Sequence, residues 1–585
     1  MFLLALFMQQ KLVWQIGGEA GYGIMGAGMI MSKVALRQGY WSYDYPEYPS
    51  LIRGGHNVYQ VVIGNEKVEA QSRGVDVLVA LNEETVEQHL EKVNKGGVVL
   101  AEEGVKLQKK AGVEFITVPF SQIAVEVGKN PVMKNTVALG ASCYLLGLDL
   151  KVLKGILKEI YGRKGELIVK ENHLVAEAGF KYIPKNFLQI KNHSISASKG
   201  YKKGKRIVVS GNEAVALGAI KAGCKFFPAY PMTPASSVMH FMAAQERNYD
   251  IVMKHTEDEI CAINMAVGGN YAGVRSMTGT SGGGFALMTE ALGMAALSET
   301  PVVIVESQRA GPSTGMPTWT GQGDLRFVAH ASQDDFLRVV LAPGDMEECF
   351  YHTFQAFNLA DKYQIPVLIL IDKLLSESRQ AIERFQEKGL KIERGYLWRE
   401  QKPSTSLRTS RKGKFLRYQL TKDGVSPRAF PGEKGAMHVA TSYEHDETGY
   451  SSEDIRMRNA MMEKRMKKLP ALKKELPKAK LFGSKDAEIT VVSWGSCKGP
   501  ILEALKMLPD GKVNFLQIST MIPFLAEDVA GYLKKAKKIV VVEANQSGQL
   551  HGLIREHCLI KADKEILQYD GRPFYAEDLV KAFSG

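Results

Sequence analysis

Lys11-Leu12-Val13-Trp14-Gln15-Ile16, followed by Gly17, Gly18, Gly21, Gly23, Gly26 and Gly28 and an apolar run to Leu36, is the stretch on which the fold turns. A strand-like hexapeptide that empties into glycines and resumes as a helix opens an α/β unit. The alternation continues outward from there: Val75–Val79 and Gly97–Leu100 read as strands, Glu84–Val93 and Val152–Tyr161 as helices. Alternating strands and helices predict a parallel sheet covered on both faces. The polar, basic stretch from Lys185 to Lys205 reads as a linker.

A second α/β unit begins at Arg206-Ile207-Val208-Val209-Ser210-Gly211, has buried-strand candidates at Pro301–Val305 and Pro366–Ile371, and ends near Phe385. From about Glu387 to Lys480 the chain turns rich in charge, Ser, Gly and Pro. A structureless loop of that length is unusual in a compact protein, so an excursion packed on the core or a partner is expected, ending in a basic helix over Ser452–Leu469. Glu488–Gly495, Val513–Ile518 and Lys538–Val542 supply the strands of a third α/β unit. The division is 11–190, 204–385, 386–484 and 485–585, in keeping with 585 residues.

Composition narrows the function. Hydrophobic residues make up 45% and charged residues 24%, the balance of a soluble globular chain. The net charge of +12 fits a solvated surface or attraction to an acidic partner or polyanionic substrate. No nucleic-acid-binding module is visible, so that partner class is set aside. Cys143, Cys224, Cys261, Cys349, Cys497 and Cys558 are scattered without a Cys-x-x-Cys, which predicts no metal or iron–sulfur site in this chain and suits a reducing cytoplasm. The apolar start Phe2–Met8 lacks a basic flank and reads poorly as a signal peptide, and no run approaches the ~20 apolar residues of a membrane span.

The chemistry-bearing segments lie between Phe226 and Leu325. Tyr230-Pro231-Met232-Thr233-Pro234-Ala235-Ser236-Ser237 is a turn stiffened by two prolines, whose hydroxyls either bind an anion or cap the next helix; for the serines capping is the better reading. His255-Thr256-Glu257-Asp258-Glu259 precedes a helix rich in small residues, where an acidic residue is either a cap or a partly buried functional carboxylate. Thr278-Gly279-Thr280-Ser281-Gly282-Gly283-Gly284 lets the main chain pass close to a ring or phosphate. Glu306-Ser307-Gln308-Arg309 ends a strand with a guanidinium suited to a carboxylate or to a surface ion pair, and Gln322-Gly323-Asp324-Leu325 closes the set.

Taken in order, the strings YPMTPASS, EDEICAINMAVGG, TGTSGGG and ESQRAGPSTGMPT resemble the pyrimidine-binding domain of the alpha subunit of thiamine-diphosphate-dependent 2-oxoacid:ferredoxin oxidoreductases. The resemblance extends to Ser426-Pro427-Arg428, to Glu444–Gly449, and to the last unit through Val542–Leu550, which is transketolase-C-like. The first unit resembles the family's gamma subunit through GGEAGYGIMGAG and Tyr48–Gly55. The implied layout is a fused gamma–alpha chain: a parallel-sheet, Rossmann-like gamma domain, a pyrimidine-binding domain, a charged connector and a C-terminal α/β domain.

By carry-over from the family, Glu259 is the carboxylate that hydrogen-bonds the aminopyrimidine ring, with Glu257 as the fallback and Asp258 behind it. Arg309 and Thr233 are implied substrate-carboxylate ligands, and Gly282 and Gly283 are implied to line the cofactor. The chain lacks the Gly-Asp-Gly motif with downstream Asn that holds magnesium and diphosphate in thiamine enzymes. A beta subunit is therefore implied to bring the diphosphate site, Mg2+ and a [4Fe-4S] cluster, with coenzyme A as cosubstrate and ferredoxin as electron acceptor. The implied activity is oxidative decarboxylation of 2-oxoglutarate or a broad range of 2-oxoacids in the cytoplasm. Two alternatives stay open: Gly21-x-Gly23-x-x-Gly26 also fits a dinucleotide fingerprint, and the chain alone is also readable as a scaffold completing another subunit's site.

Overall fold

Strands Val75–Ala80 and Pro366–Asp372 are buried along their whole length, as strands covered on both faces must be. The computed structural model describes residues 11–50, 54–187, 193, 195, 204–398 and 415–584. The Phe2–Met8 start, Leu51-Ile52-Arg53 and most of the Lys185–Lys205 linker lie outside the described residues.

The first sheet has eight strands, in the order Glu114–Val118, Val93–Glu102, Val75–Ala80, Lys11–Glu19, His56–Gly64, Trp41–Glu47, Arg379–Glu383, Arg206–Ser210. Its first four strands are parallel, as the βα alternation predicts. The sheet then continues antiparallel: Trp41–Glu47 and His56–Gly64 turn back beside Lys11–Glu19, and two strands of the second unit extend the edge. Trp14 is fully buried in it and donates its indole N–H to Ser142 Oγ at 2.9 Å.

The second sheet places Met277–Thr280, Val302–Gln308, Pro366–Asp372 and Val339–Leu341 in parallel, and closes with antiparallel Thr520–Ile522 from the third unit. Beside it, Phe226–Ala229 and Val252–His255 form a parallel pair, bridged to the sheet by Phe226 and Ser276. The third sheet carries Ile489–Ser493, Val513–Gln517, Ile539–Glu543 and Lys564–Leu567 in parallel, with Lys480–Phe482 antiparallel at one edge.

The expected basic helix over Ser452–Leu469 is two helices, Ile455–Met466 and Leu469–Glu475. Pro470 sits in the first turn of the second, where the missing N–H costs no internal hydrogen bond. The described part of the excursion packs on the second unit through two buried ion clusters. Asp361 accepts from Arg275, Arg394 and Arg428, while Glu299 meets Lys464 and Lys468 and lies by Arg417, which donates to the Glu299 carbonyl at 2.7 Å.

Candidate active site

Four parallel strands, Phe226–Ala229, Val252–His255, Met277–Thr280 and Val302–Gln308, end on one edge, and the loops leaving them converge. Open α/β sheets take their ligands at that carboxyl edge.

The three acidic residues before the small-residue helix divide the work between them. Asp258 is the cap: its backbone is extended and its carboxylate accepts from Cys261 N at 2.8 Å. Glu257 is exposed. Glu259 begins the helix Glu259–Tyr271 with 3% of its surface exposed, and its Oε1 receives no hydrogen bond. With the cap already supplied, that carboxylate is free for another partner.

Glycine makes the room. A Cβ at position 284 would come within 2.6 Å of Glu259 Oε1, so the helix Gly282–Leu297 approaches the carboxylate as only glycine permits. Gly282 admits the Asp324 carboxyl, whose Oδ2 lies 2.5 Å from where its Cβ would stand. Gly283, predicted alongside Gly282, is exposed and has no neighbour within 4 Å of such a Cβ. The Ser281 hydroxyl, at the start of the same helix, is buried and without a partner.

Thr233 and Arg309, predicted to act together, are in contact: Arg309 Nη1 donates to the Thr233 carbonyl at 2.8 Å. Burial lowers the guanidinium's pKa against the pull of Asp324 and Glu306. The capping reading of the serines does not hold. The helix Ser236–Tyr249 starts at Ser236 itself, with Ala235 in the cap position, so both serines are already inside the first turn. Ser237 Oγ instead accepts from Asn212 Nδ2 at 2.6 Å.

Sequence reasoning placed Glu306, Asp324 and Gly284 within the chemistry-bearing segments but gave none of them a role. Glu306 is fully buried near the end of its strand, and Asp324 reaches the same spot from a loop that the third unit clamps. Gln549 Nε2 donates to the Gly323 carbonyl at 2.7 Å, and the Ala544 N–H donates to Gln322 Oε1 at 3.0 Å. The Asn545–Gln549 loop is structural in the same sense, since Glu543 accepts from Asn545 Nδ2 and from the Leu550 and His551 N–H groups. The outer faces of the helices around the site are apolar: Ile260, Leu287 and Phe327 are 49%, 49% and 36% exposed.

A parallel sheet whose carboxyl edge presents a buried glutamate with an unpaired oxygen against a glycine helix, and an arginine from the strand next to that helix's own, defines a ligand-binding α/β subunit. Residues 217–464 match the family described as pyruvate flavodoxin/ferredoxin oxidoreductase, thiamine diphosphate-binding, and residues 13–182 match pyruvate ferredoxin/flavodoxin oxidoreductase. A 2-oxoacid:ferredoxin oxidoreductase subunit alpha from Sulfolobus sp is 34% identical, the match covering 98% of this chain and 96% of that one. The 2-oxoglutarate synthase subunit KorA of Methanothermobacter thermautotrophicus is 34% identical over 61% of this chain and 93% of its own. The solved 2-oxoglutarate:ferredoxin oxidoreductase from Magnetococcus marinus, with 2-oxoglutarate, coenzyme A and succinyl-CoA bound, superposes at a TM-score of 0.89, with 34% identity and 99% of both chains covered. The chain belongs to the 2-oxoacid:ferredoxin oxidoreductases, as an alpha subunit with the gamma-type unit fused ahead of it. Among the described residues no helix is long and apolar enough to cross a membrane.

Proposed function

We propose that this chain, joined to a separate beta subunit, carries out coenzyme-A-dependent oxidative decarboxylation of a 2-oxoacid and passes the electrons to ferredoxin. The observation that carries the reading is the buried, unpaired Glu259 oxygen facing Gly284. Thiamine diphosphate, when bound, supplies the carbon nucleophile and electron sink that decarboxylation of a 2-oxoacid needs. The residues present fit its pyrimidine half: an unsatisfied buried carboxylate is costly unless a ligand donor completes it, and Gly284 lets its helix close on Thr280 and Glu259 where a side chain would push the carboxylate away.

Glu259 would hold a proton on the pyrimidine ring nitrogen, accepting a hydrogen bond from the resulting N–H, and would thereby favour proton loss from the amino group. Arg309 pairs with the substrate carboxylate, and the Thr233 hydroxyl donates to the same group. Gly282 and Gly283 line the approach to the cofactor. The diphosphate, Mg2+ and the [4Fe-4S] cluster fall to the beta subunit, for which the exposed Ile260, Leu287 and Phe327 offer an apolar seat at the site's mouth. A cleft of about 510 Å³ between the first and second units, lined by Met29, Tyr59, His240, Glu213, Glu377 and Arg379, opens next to the 230–237 turn. The relatives' substrates favour 2-oxoglutarate or a broad range of 2-oxoacids. The six unpaired cysteines suit a reducing cytoplasm. The division at 190, 204, 385 and 484 is retained as the working domain scheme.

The test is co-purification of the chain from its native cell extract, with 2-oxoacid- and coenzyme-A-dependent viologen reduction assayed on the eluate. An iron–sulfur subunit co-purifying with activity is expected; a lone, colourless, inactive chain obtained anaerobically would shift weight to the dinucleotide alternative. Two substitutions refine it. Arg309→Ala removes a charged hydrogen bond of about 1.5–3 kcal/mol, so the KM for the 2-oxoacid should rise roughly tenfold to hundredfold while kcat changes less; unchanged steady-state kinetics would remove Arg309 from the role. Gly284→Ala places a Cβ 2.1 Å from Thr280 Oγ1 and 2.6 Å from Glu259 Oε1, so both side chains must shift; thiamine diphosphate affinity should fall on the order of a hundredfold, as a cofactor titration of the reconstituted complex would read, with a stability loss of about 1–3 kcal/mol.

A further inference from the structure

Glu306 is 0% exposed, and no N–H or O–H donor among the described residues reaches either of its oxygens. What faces it is the Asp324 carboxyl. Two carboxylates are both acceptors, so a hydrogen bond between them exists only while one of them is protonated. The surrounding charges cannot keep both ionised. Arg309 is the cation acting on the pair, and its Nη1 is already committed to the Thr233 carbonyl. Asp372, on the neighbouring strand, adds a further negative charge although its own carboxylate accepts from Thr320, Gln322 and Leu375, and Glu259 stands near Thr280, the residue in register with Glu306. Like charges packed this closely are relieved by holding one proton between them.

We propose that Glu306 and Asp324 act as positioning residues for Arg309: the two carboxyls share one proton, and the single charge that remains holds the guanidinium against the Thr233 carbonyl, ready for a 2-oxoacid carboxylate. The inference rests on the functional reading above and adds a specific role to two side chains that reading leaves idle. Glu306 carries the proton and donates it in a hydrogen bond to Asp324; burial raises its pKa well above the ordinary carboxylate value, and Asp324 raises it further. The third unit contributes directly, since the Gln549 clamp on Gly323 fixes where Asp324 points. Loss of the shared proton puts a second negative charge beside the guanidinium, where an anionic substrate must bind.

The sign follows from that charge. In the wild-type complex the KM for the 2-oxoacid should rise on the alkaline side, approaching about tenfold per pH unit once the pair is deprotonated, with kcat lagging behind. Glu306→Gln keeps a neutral donor to Asp324 at every pH, so its KM should lose the alkaline rise. Asp324→Asn leaves Glu306 to titrate without the like charge that raises it, so the alkaline rise in KM should begin at a lower pH than in the wild type; this variant serves if the first does not assemble. Independently of turnover, the infrared difference spectrum of wild type minus Glu306→Gln at neutral pH should contain the carbonyl stretch of a protonated carboxylic acid. A variant profile superimposable on wild type, or a difference spectrum without that band, overturns the proposal. A wild-type complex that turns over no 2-oxoacid overturns the functional reading instead, and the infrared band still decides the carboxyl pair.

Discussion

Glu259→Gln should leave the complex assembled and its thiamine diphosphate bound, yet lower turnover by roughly 10²- to 10⁴-fold, the range for loss of a positioned acid–base group. The amide has the size and one acceptor oxygen of the carboxylate, so the packing against Gly284 and Thr280 survives. What it lacks is the negative charge that favours proton loss at the far side of the pyrimidine ring. Asp258, not Glu259, caps the helix, so the substitution leaves the cap bond to Cys261 intact and a folding defect is not expected. Gel filtration of the reconstituted complex and viologen reduction on the same sample separate the two effects. Turnover within a few-fold of wild type would favour the scaffold reading, in which this chain only completes the beta subunit's site.

Glu299→Gln should destabilise the chain by about 3–5 kcal/mol, because it leaves buried cations without their counter-charge. Glu299, Lys464 and Lys468 are 0%, 1% and 1% exposed at the side chain, so solvent cannot take over the screening. Burial alone works against the Glu299 charge, but Lys464, Lys468 and Arg417 outweigh it and hold the carboxyl far below the ordinary carboxylate range. A carboxyl depressed in the folded state contributes stability that is fully present above its unfolded value near ~4.3 and is lost as pH falls toward the folded one. The wild type should therefore lose this contribution only in strong acid, while the variant lacks it at every pH. Urea midpoints at neutral pH, with limited proteolysis of residues 415–476, read the effect; an unchanged midpoint and protease pattern would mean that the ion cluster does not pin the excursion.

Much of the architecture was legible because it depends on local pattern. Runs such as Val75–Ala80 and Pro366–Asp372 are long enough and apolar enough to announce buried strands, whereas local pattern read the acids before the small-residue helix as caps and only the family resemblance singled out Glu259. What remained hidden depends on distant residues. Nothing local marks Thr520–Ile522 as the closing strand of the second unit's sheet, or Arg379–Glu383 as an extension of the first. The same holds for Glu306 and Asp324: 18 positions apart, they meet because a strand end and a clamped loop converge. The serines of the 230–237 turn show the converse limit. Composition there suggested caps, whereas one residue of offset in the helix start gave Ser237 a tertiary partner.

The first sheet does not stop where the gamma-type unit stops. Trp41–Glu47 pairs with Arg379–Glu383 through Asp44 with Arg379 and Tyr43 with Gln380, and the Lys373 ammonium donates to the Pro46 carbonyl at 2.8 Å nearby. Covalent continuity makes this strand addition intramolecular, at the high effective concentration a tether provides. The same seam in a two-chain enzyme would have to form by collision, with an exposed strand edge on each side until it closed. Fusion thus converts an assembly step into a folding step, and a nick between residues 187 and 204 should make the yield of intact enzyme depend on protein concentration.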